Sequence, residues 1–215
     1  MRAGLDKNVI LKAAADMADK HGVANVTLKA VAEELGVKPP SLYKHIDGLD
    51  ELNKELMLYG WKTLESDLIR SAVGKAKDDA IRAIFHTYRN YVIEHPGLFE
   101  AMQWYNMYLS DEYLQATEEI VSVLFQILDS YNLPDEKKVH LVRIFRGFLQ
   151  GFLSIECHGG YGNPMPIEKT FDFALDILLS GIHGLQETTD NSPSLRKQDF
   201  QAKCQCLQET THSSS

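Results

Sequence analysis

Thr27, Lys29, Lys38, Pro39, Ser41, Tyr43, Lys44 and His45 fall within 19 consecutive positions. They bring together hydroxyls, a phenol, an imidazole and three ammonium groups. Such a set holds phosphates and touches base edges, because hydroxyl and ammonium donors pair with phosphate oxygens while short polar side chains reach into a groove. The elements that must position it follow from the residues between. Thr27 reads as the N-cap of a helix through Leu35, with Leu28, Val31, Ala32 and Leu35 at helical spacing. Gly36 ends that helix, and Pro39-Pro40 open a second, short one that runs to about His45. Val37 plugs the corner. Leu42 and Ile46 turn inward and leave Ser41, Tyr43, Lys44 and His45 outside. This is a helix-turn-helix layout, whose second helix fits a major groove about 12 Å wide. A plain αα-hairpin in a helical core has the same apolar spacing. The residues alone leave both readings open, the polar, aromatic exterior of so short a second helix only weakening the hairpin reading.

The charge distribution limits where nucleic acid could bind. The 215 residues carry a formal net charge of −8. Residues 1–48 hold seven Lys/Arg and six Asp/Glu, a balance of +1, so the remainder stands at −9. An electrostatic footprint for DNA therefore belongs to the N-terminal segment, and the rest should repel phosphate. Hydrophobic residues at 44% and charged residues at 24% exclude disorder throughout. No uncharged apolar run approaches the roughly 18–20 residues of a membrane span. The first residues show no signal-peptide pattern, and three cysteines cannot frame the whole chain with disulfides. A cytoplasmic protein with no membrane partner is expected.

Periodicity predicts an all-α chain. A first helix runs from about Asp6 to His21 and a long one from about Asp50 to Val73. Further helices are expected at 78–95, 97–109, 111–131, 135–157 and 168–185, divided by His95-Pro96-Gly97, Leu133-Pro134-Asp135 and the glycine-rich segment 159–164. From Thr188 onward the sequence is polar, and a disordered, dispensable tail is expected. The organisation inferred is a DNA-binding domain over 1–48 (motif about 28–47), a larger helical domain over 49–186 and a tail over 187–215.

Residues 6–52 resemble the DNA-binding domain of the TetR family of bacterial transcriptional regulators. The segment Thr27–Val37 is similar to that family's second helix and turn, and Pro39-Pro40-Ser41-Leu42-Tyr43-Lys44-His45 to its recognition helix. Leu49 departs from the pattern, since many members carry a phosphate-touching lysine there. His95-Pro96-Gly97-Leu98-Phe99 and residues 151–164 resemble a WHG-type C-terminal domain. The resemblance implies about nine helices, a small reading head and a larger domain that senses a ligand and dimerises. Thr27 would cap the second helix and meet a phosphate, and Lys29, Tyr43 and His45 would hold the backbone. Lys38, Pro39, Ser41 and Lys44 would lie nearest the base edges. The implied function is a ligand-responsive repressor that binds a pseudo-palindromic operator as a homodimer. A constitutive regulator or an activator without an effector is the alternative.

Residues 85–113 hold eight aromatics in 29 positions, about three times the chain average of 9%. An apolar pocket with a few hydroxyls would look like this, as would a plain helical core. The expected effector site takes Trp61 from the long helix, with Leu56, Tyr59, Gly60 and Leu64 beside it. Phe85, Tyr88, Met102, Trp104 and Tyr105 stand opposite, and Phe148 and Phe152 close the far side. Such a lining suits a largely apolar, uncharged ligand, and an anion would need Arg89, Arg143 or Arg146. Helices 135–157 and 168–185 are apolar on more than one face, and the resemblance pairs them with their copies in a dimer. No nucleophile–base pair, phosphate loop or cofactor fingerprint is present, so an enzyme is not expected. His140, Glu156, His158 and His183 lack zinc spacing, and Cys204-Gln205-Cys206 with His212 sits in the polar tail. No metal and no cofactor are expected.

Overall fold

The computed structural model of the protein describes residues 5–108 and 110–187. Over those residues it is all-helical, with eight α-helices and three short 3-10 segments. Helix α1 spans Lys7–His21 and begins where the Asp6 carboxylate accepts a hydrogen bond from the Val9 N–H at 2.8 Å. Its Ile10, Ala14 and Ala18 are buried. Helix α2 spans Leu28–Glu34, and the Thr27 hydroxyl caps it by accepting from the Ala30 N–H at 3.1 Å. Gly36 then takes a left-handed φ of 65°, a conformation that favours glycine.

The second element of the motif differs from the expected helix. Pro39–Lys44 is a 3-10 segment. The two prolines remove the first N–H donors, so the first available one, that of Ser41, bonds to the Lys38 carbonyl at 2.9 Å. The His45 N–H likewise reaches the Leu42 carbonyl at 2.8 Å, three residues back.

Helix α3 spans Gly48–Ala72 and is the spine of the molecule. At 1.5 Å per residue its 25 residues extend roughly 37 Å. Leu52, Leu56, Met57, Leu64 and Leu68 are buried along it, against α1, α4 (Lys77–Glu94), α5 (Pro96–Met102) and α6 (Asp111–Asp129). Helices α7 (Asp135–Cys157) and α8 (Ile167–Glu187) complete the larger helical part. The helix expected over 97–109 is shorter. Helix α5 stops at Met102, and Gln103–Asn106 continue as a 3-10 turn.

Helix α1 is joined to the larger helical part by, among others, two contacts. Lys7 of α1 pairs with Glu51 at 3.2 Å and Glu55 at 2.7 Å on α3. Helices α1 and α5 meet backbone to backbone at Gly97, where an added Cβ would stand 2.0 Å from the Ala18 carbonyl oxygen. Among the described residues no helix is long and apolar enough to cross a membrane. The expected tail, with Cys204, Cys206 and His212, lies outside the described residues.

Candidate nucleic-acid interface and ligand site

Helix α2, the turn at Gly36 and the 3-10 segment present the candidate DNA-binding residues. Leu42 and Ile46 are buried and anchor the segment, while Val31 and Ala32 of α2 receive it. The Val37 N–H returns to the Ala32 carbonyl at 2.9 Å and fixes the corner. With those residues inward, Tyr43 is 58% exposed, and Lys38, Pro39 and Lys44 are exposed beside it. Ser41 and His45 are half-buried. Three residues per turn place Ser41 and Lys44 on one ridge.

The electrostatics of this surface are simple. Lys29 has one loose ion pair, with Glu33 at 3.9 Å. Lys38 and Lys44 form no ion pair among the described residues, so both ammonium groups are available to phosphates. Thr27 is exposed, and its hydroxyl, which accepts from the α2 backbone, still has a proton to donate. At the start of α3, Leu49 is exposed and offers a phosphate nothing. Glu51 nearby accepts hydrogen bonds from the Asp47 N–H and from Lys7, which hold its carboxyl below the usual range. It therefore stays ionised and keeps the start of α3 tied to α1.

The candidate effector residues form two groups. The first surrounds Trp61, whose indole N–H donates to the Met102 carbonyl at 3.2 Å. Its ring meets Tyr113 edge-on at 6.0 Å, and Tyr113 stacks on Tyr105 at 5.9 Å. The Arg146 guanidinium lies 5.1 Å from the centre of the Tyr105 ring and donates to the Tyr113 hydroxyl at 3.1 Å. Tyr88 is 6% exposed, and burial raises its hydroxyl far above the ordinary range, so it remains a neutral donor. Trp104 is half-buried against the core.

The second group is a phenylalanine cluster of α4, α7 and α8. Phe85 meets Phe145 edge-on at 5.0 Å, and Phe148 lies 5.3 Å from Phe152 and 5.7 Å from Phe171. Phe85, Phe148 and Phe152 thus share ring contacts with Phe145 and Phe171, and Phe152 lies closest to Tyr161, at 5.0 Å. Sequence reasoning did not place Tyr113, Phe145 or Phe171 in these groups. Tyr113 was legible as part of the aromatic concentration, but its partner α7 lies 33 residues away from it at Arg146.

Glu156 and Arg89 form a nearly buried bidentate pair at 2.6 and 3.1 Å, which joins α7 to α4. His183 pairs with Asp78, and His158 bonds to the Ser154 carbonyl. No group of three or more possible metal ligands occurs among the described residues. Two open clefts, of about 670 and 320 Å³, run between α3 and α6. None of the eight candidate effector residues lines either cleft. The larger holds Glu65 and Glu119, and burial together with Glu119 pushes Glu65 up to about 7.

With this geometry in hand, comparison with known proteins identifies clear kin. Residues 10–56 match the sequence model of bacterial regulatory proteins of the tetR family. Residues 81–178 match that of a tetracyclin repressor-like C-terminal domain. The chain is 31% identical over 183 residues to YobS of Bacillus subtilis strain 168, an uncharacterised HTH-type transcriptional regulator, covering 84% of this chain and 94% of that one. Among solved structures, BioQ with its natural double-stranded DNA operator superimposes with a TM-score of 0.62 at 20% identity, over 84% of this chain and 99% of that one. A TetR variant from Acinetobacter baumannii in complex with minocycline gives 0.64 at 17% identity, over 86% and 100%. At these identities the two structures establish a shared fold.

Proposed function

We propose a mode of action that starts from kinship: the chain belongs to the TetR family of bacterial regulatory proteins. It is a DNA-binding transcriptional regulator, of a family whose members are regulators and not enzymes. In our reading it is a cytoplasmic, ligand-responsive repressor without catalytic activity, with a reading head over 1–48 and a sensing and dimerising part over 49–186.

The observation that carries this reading is the exposed cationic surface of the 3-10 segment, where Lys38, Lys44 and Tyr43 stand free above buried Leu42 and Ile46. Thr27, Lys29, Tyr43 and His45 hold phosphates, and Lys38, Pro39, Ser41 and Lys44 face the bases. Two copies joined through about 135–185 read a pseudo-palindromic operator, with half-sites about 34–36 Å apart or a multiple of it. Exposed Ile144 on α7, with Phe173 and Ile177 on α8, supports that interface. Gly147, Gly151, Gly181 and Gly184 face open space, which lets partner helices approach closely. A small, largely apolar effector in the Trp61–Tyr105 region alters the setting of α3 and α5 against α1. Effector and operator then weaken each other by the same factor.

The test is a fluorescence titration of the full chain against its own promoter region at several salt concentrations. Tight, salt-sensitive binding to one short palindromic segment is the expected result. Equal affinity for that segment and for scrambled DNA overturns the reading.

A further inference from the structure

The polar groups of α3, α4, α6 and α7 beside the two aromatic groups are unevenly matched. Several have partners: the Trp61 N–H donates to the Met102 carbonyl, the Tyr91 hydroxyl to the Gly60 carbonyl at 3.1 Å, and Arg89 to Glu156. The remainder do not. The amide nitrogen of Gln150 is buried and has no hydrogen-bond partner. The Tyr88 hydroxyl has none among the described residues. Tyr113 accepts from Arg146, and no described residue accepts its own proton. Arg146 faces no carboxylate, while Arg89 has one.

Every one of these groups has hydrogens to donate. A guanidinium and an amide nitrogen cannot accept, so they cannot satisfy one another. Arg146 and Gln150 stand one turn apart on the same face of α7, and α7 packs against α4 and α6, which carry Tyr88 and Tyr113. Tyr88 lies within electrostatic reach of the Arg146 guanidinium. Arg146 is exposed, so its charge is open to an incoming ligand, while the Gln150 amide nitrogen is a buried donor without an acceptor, a costly state that a ligand's acceptor relieves. One guanidinium with one amide, set among aromatic rings, matches a single planar carboxylate on an apolar body. A phosphate dianion would find too little positive charge there.

We infer that the effector is an organic monocarboxylate with a ring or chain body, received by Arg146 and Gln150 and walled by Tyr88, Tyr105 and Tyr113. This rests on the ligand-responsive reading above and replaces its uncharged ligand with an anion.

The test uses naphthalene-2-carboxylate and decanoate, each beside its neutral primary amide, titrated into the full chain by calorimetry. At least one carboxylate should bind about tenfold or more tighter than its amide, tenfold being about 1.4 kcal/mol. Arg146→Met should remove that preference, and Arg143→Met, on the same helix, should keep it. Gln150→Leu should weaken carboxylate binding while leaving the melting temperature equal or higher, a result that loss of structure would not give. The inference is overturned if the amides bind as well as the acids, if neither acid binds, or if Arg146→Met keeps the preference. The promoter titration is run on the same samples. A chain that reads its promoter but does not prefer the carboxylates sinks this inference alone, and a chain that does not bind the promoter sinks the regulator reading.

Discussion

The carboxylate of Asp19, in the last turn of α1, accepts a hydrogen bond from the Leu98 N–H of α5 at 2.9 Å, and its second oxygen lies 2.8 Å from His95 Nδ1. One side chain thus clamps the first turn of α5 onto the reading head. It does so one residue from the place where Gly97 lets the two backbones touch. Replacing Gly97 with Ala forces a methyl against the Ala18 carbonyl and should destabilise the chain by ~1–3 kcal/mol. Asp19→Asn, which keeps the shape and loses the charge, should cost less. Thermal melts of both variants check the ordering, and an unchanged melting temperature for Gly97→Ala would show that the joint is loose.

On the DNA side, Tyr43→Ala and Lys44→Ala should each weaken operator binding by ~1–3 kcal/mol without lowering thermal stability, because both side chains are exposed. Losing Lys44 should also make binding less salt-dependent by about one phosphate contact if its partner is a phosphate rather than a base. Titrations at several salt concentrations separate the two effects. Wild-type affinity in both variants would remove the 3-10 segment from the interface.

Dimerisation is tested where the apolar surface is bare. Phe173 is 66% exposed and Ile177 57%, one turn apart on α8. Phe173→Glu or Ile177→Glu should leave each chain folded and shift it from dimer to monomer in sedimentation, with weaker operator binding. By contrast Leu179, buried within its own chain, should unfold the protein when replaced with Glu. A wild-type chain that sediments as a monomer at micromolar concentration refutes the assignment.

The α3–α6 cleft gives a pH dependence. Glu65 ordinarily titrates at 4.5 and is raised to about 7 by burial and by Glu119. A carboxyl that holds its proton more firmly in the folded chain favours folding at low pH, and that advantage is lost as pH rises from about 4.5 through about 7. Glu65→Gln should therefore raise the melting temperature at pH 8 relative to the wild type and flatten its fall between pH 5 and 8, an effect on the order of 1 kcal/mol. Parallel curves for the two proteins would show that the pair does not titrate.

The reading head was legible because its determinants are local. Thr27, Gly36 and Pro39-Pro40 are punctuation whose meaning depends on neighbours within a few residues, and the buried positions of Leu42 and Ile46 follow from the same short pattern. The prolines marked where the second element begins but not its 3-10 winding, since the N–H groups they remove have no partner within a helix in any case. The ligand region was legible only as a concentration of rings. Its division between Trp61 with Tyr113 and Phe85 with Phe171 is set by how α7 and α8 cross α4, a long-range matter that periodicity does not encode. Glu156 was read as structural from its unsuitable spacing for a metal, but its partner Arg89 is 67 positions away. No local pattern joins them.

The tight winding of the segment that bears Ser41 and Lys44 sets the scale of what it can read. Three residues at about 2.0 Å each separate the two side chains by roughly 6 Å along the axis. Successive bases along one strand are about 3.4 Å apart. In the proposed mode of action the segment is thus a comb whose teeth stand about two base steps apart, too short to spell out a long word. In the proposed dimer the comb is duplicated in a second subunit, so that the distance between combs becomes part of the text it recognises.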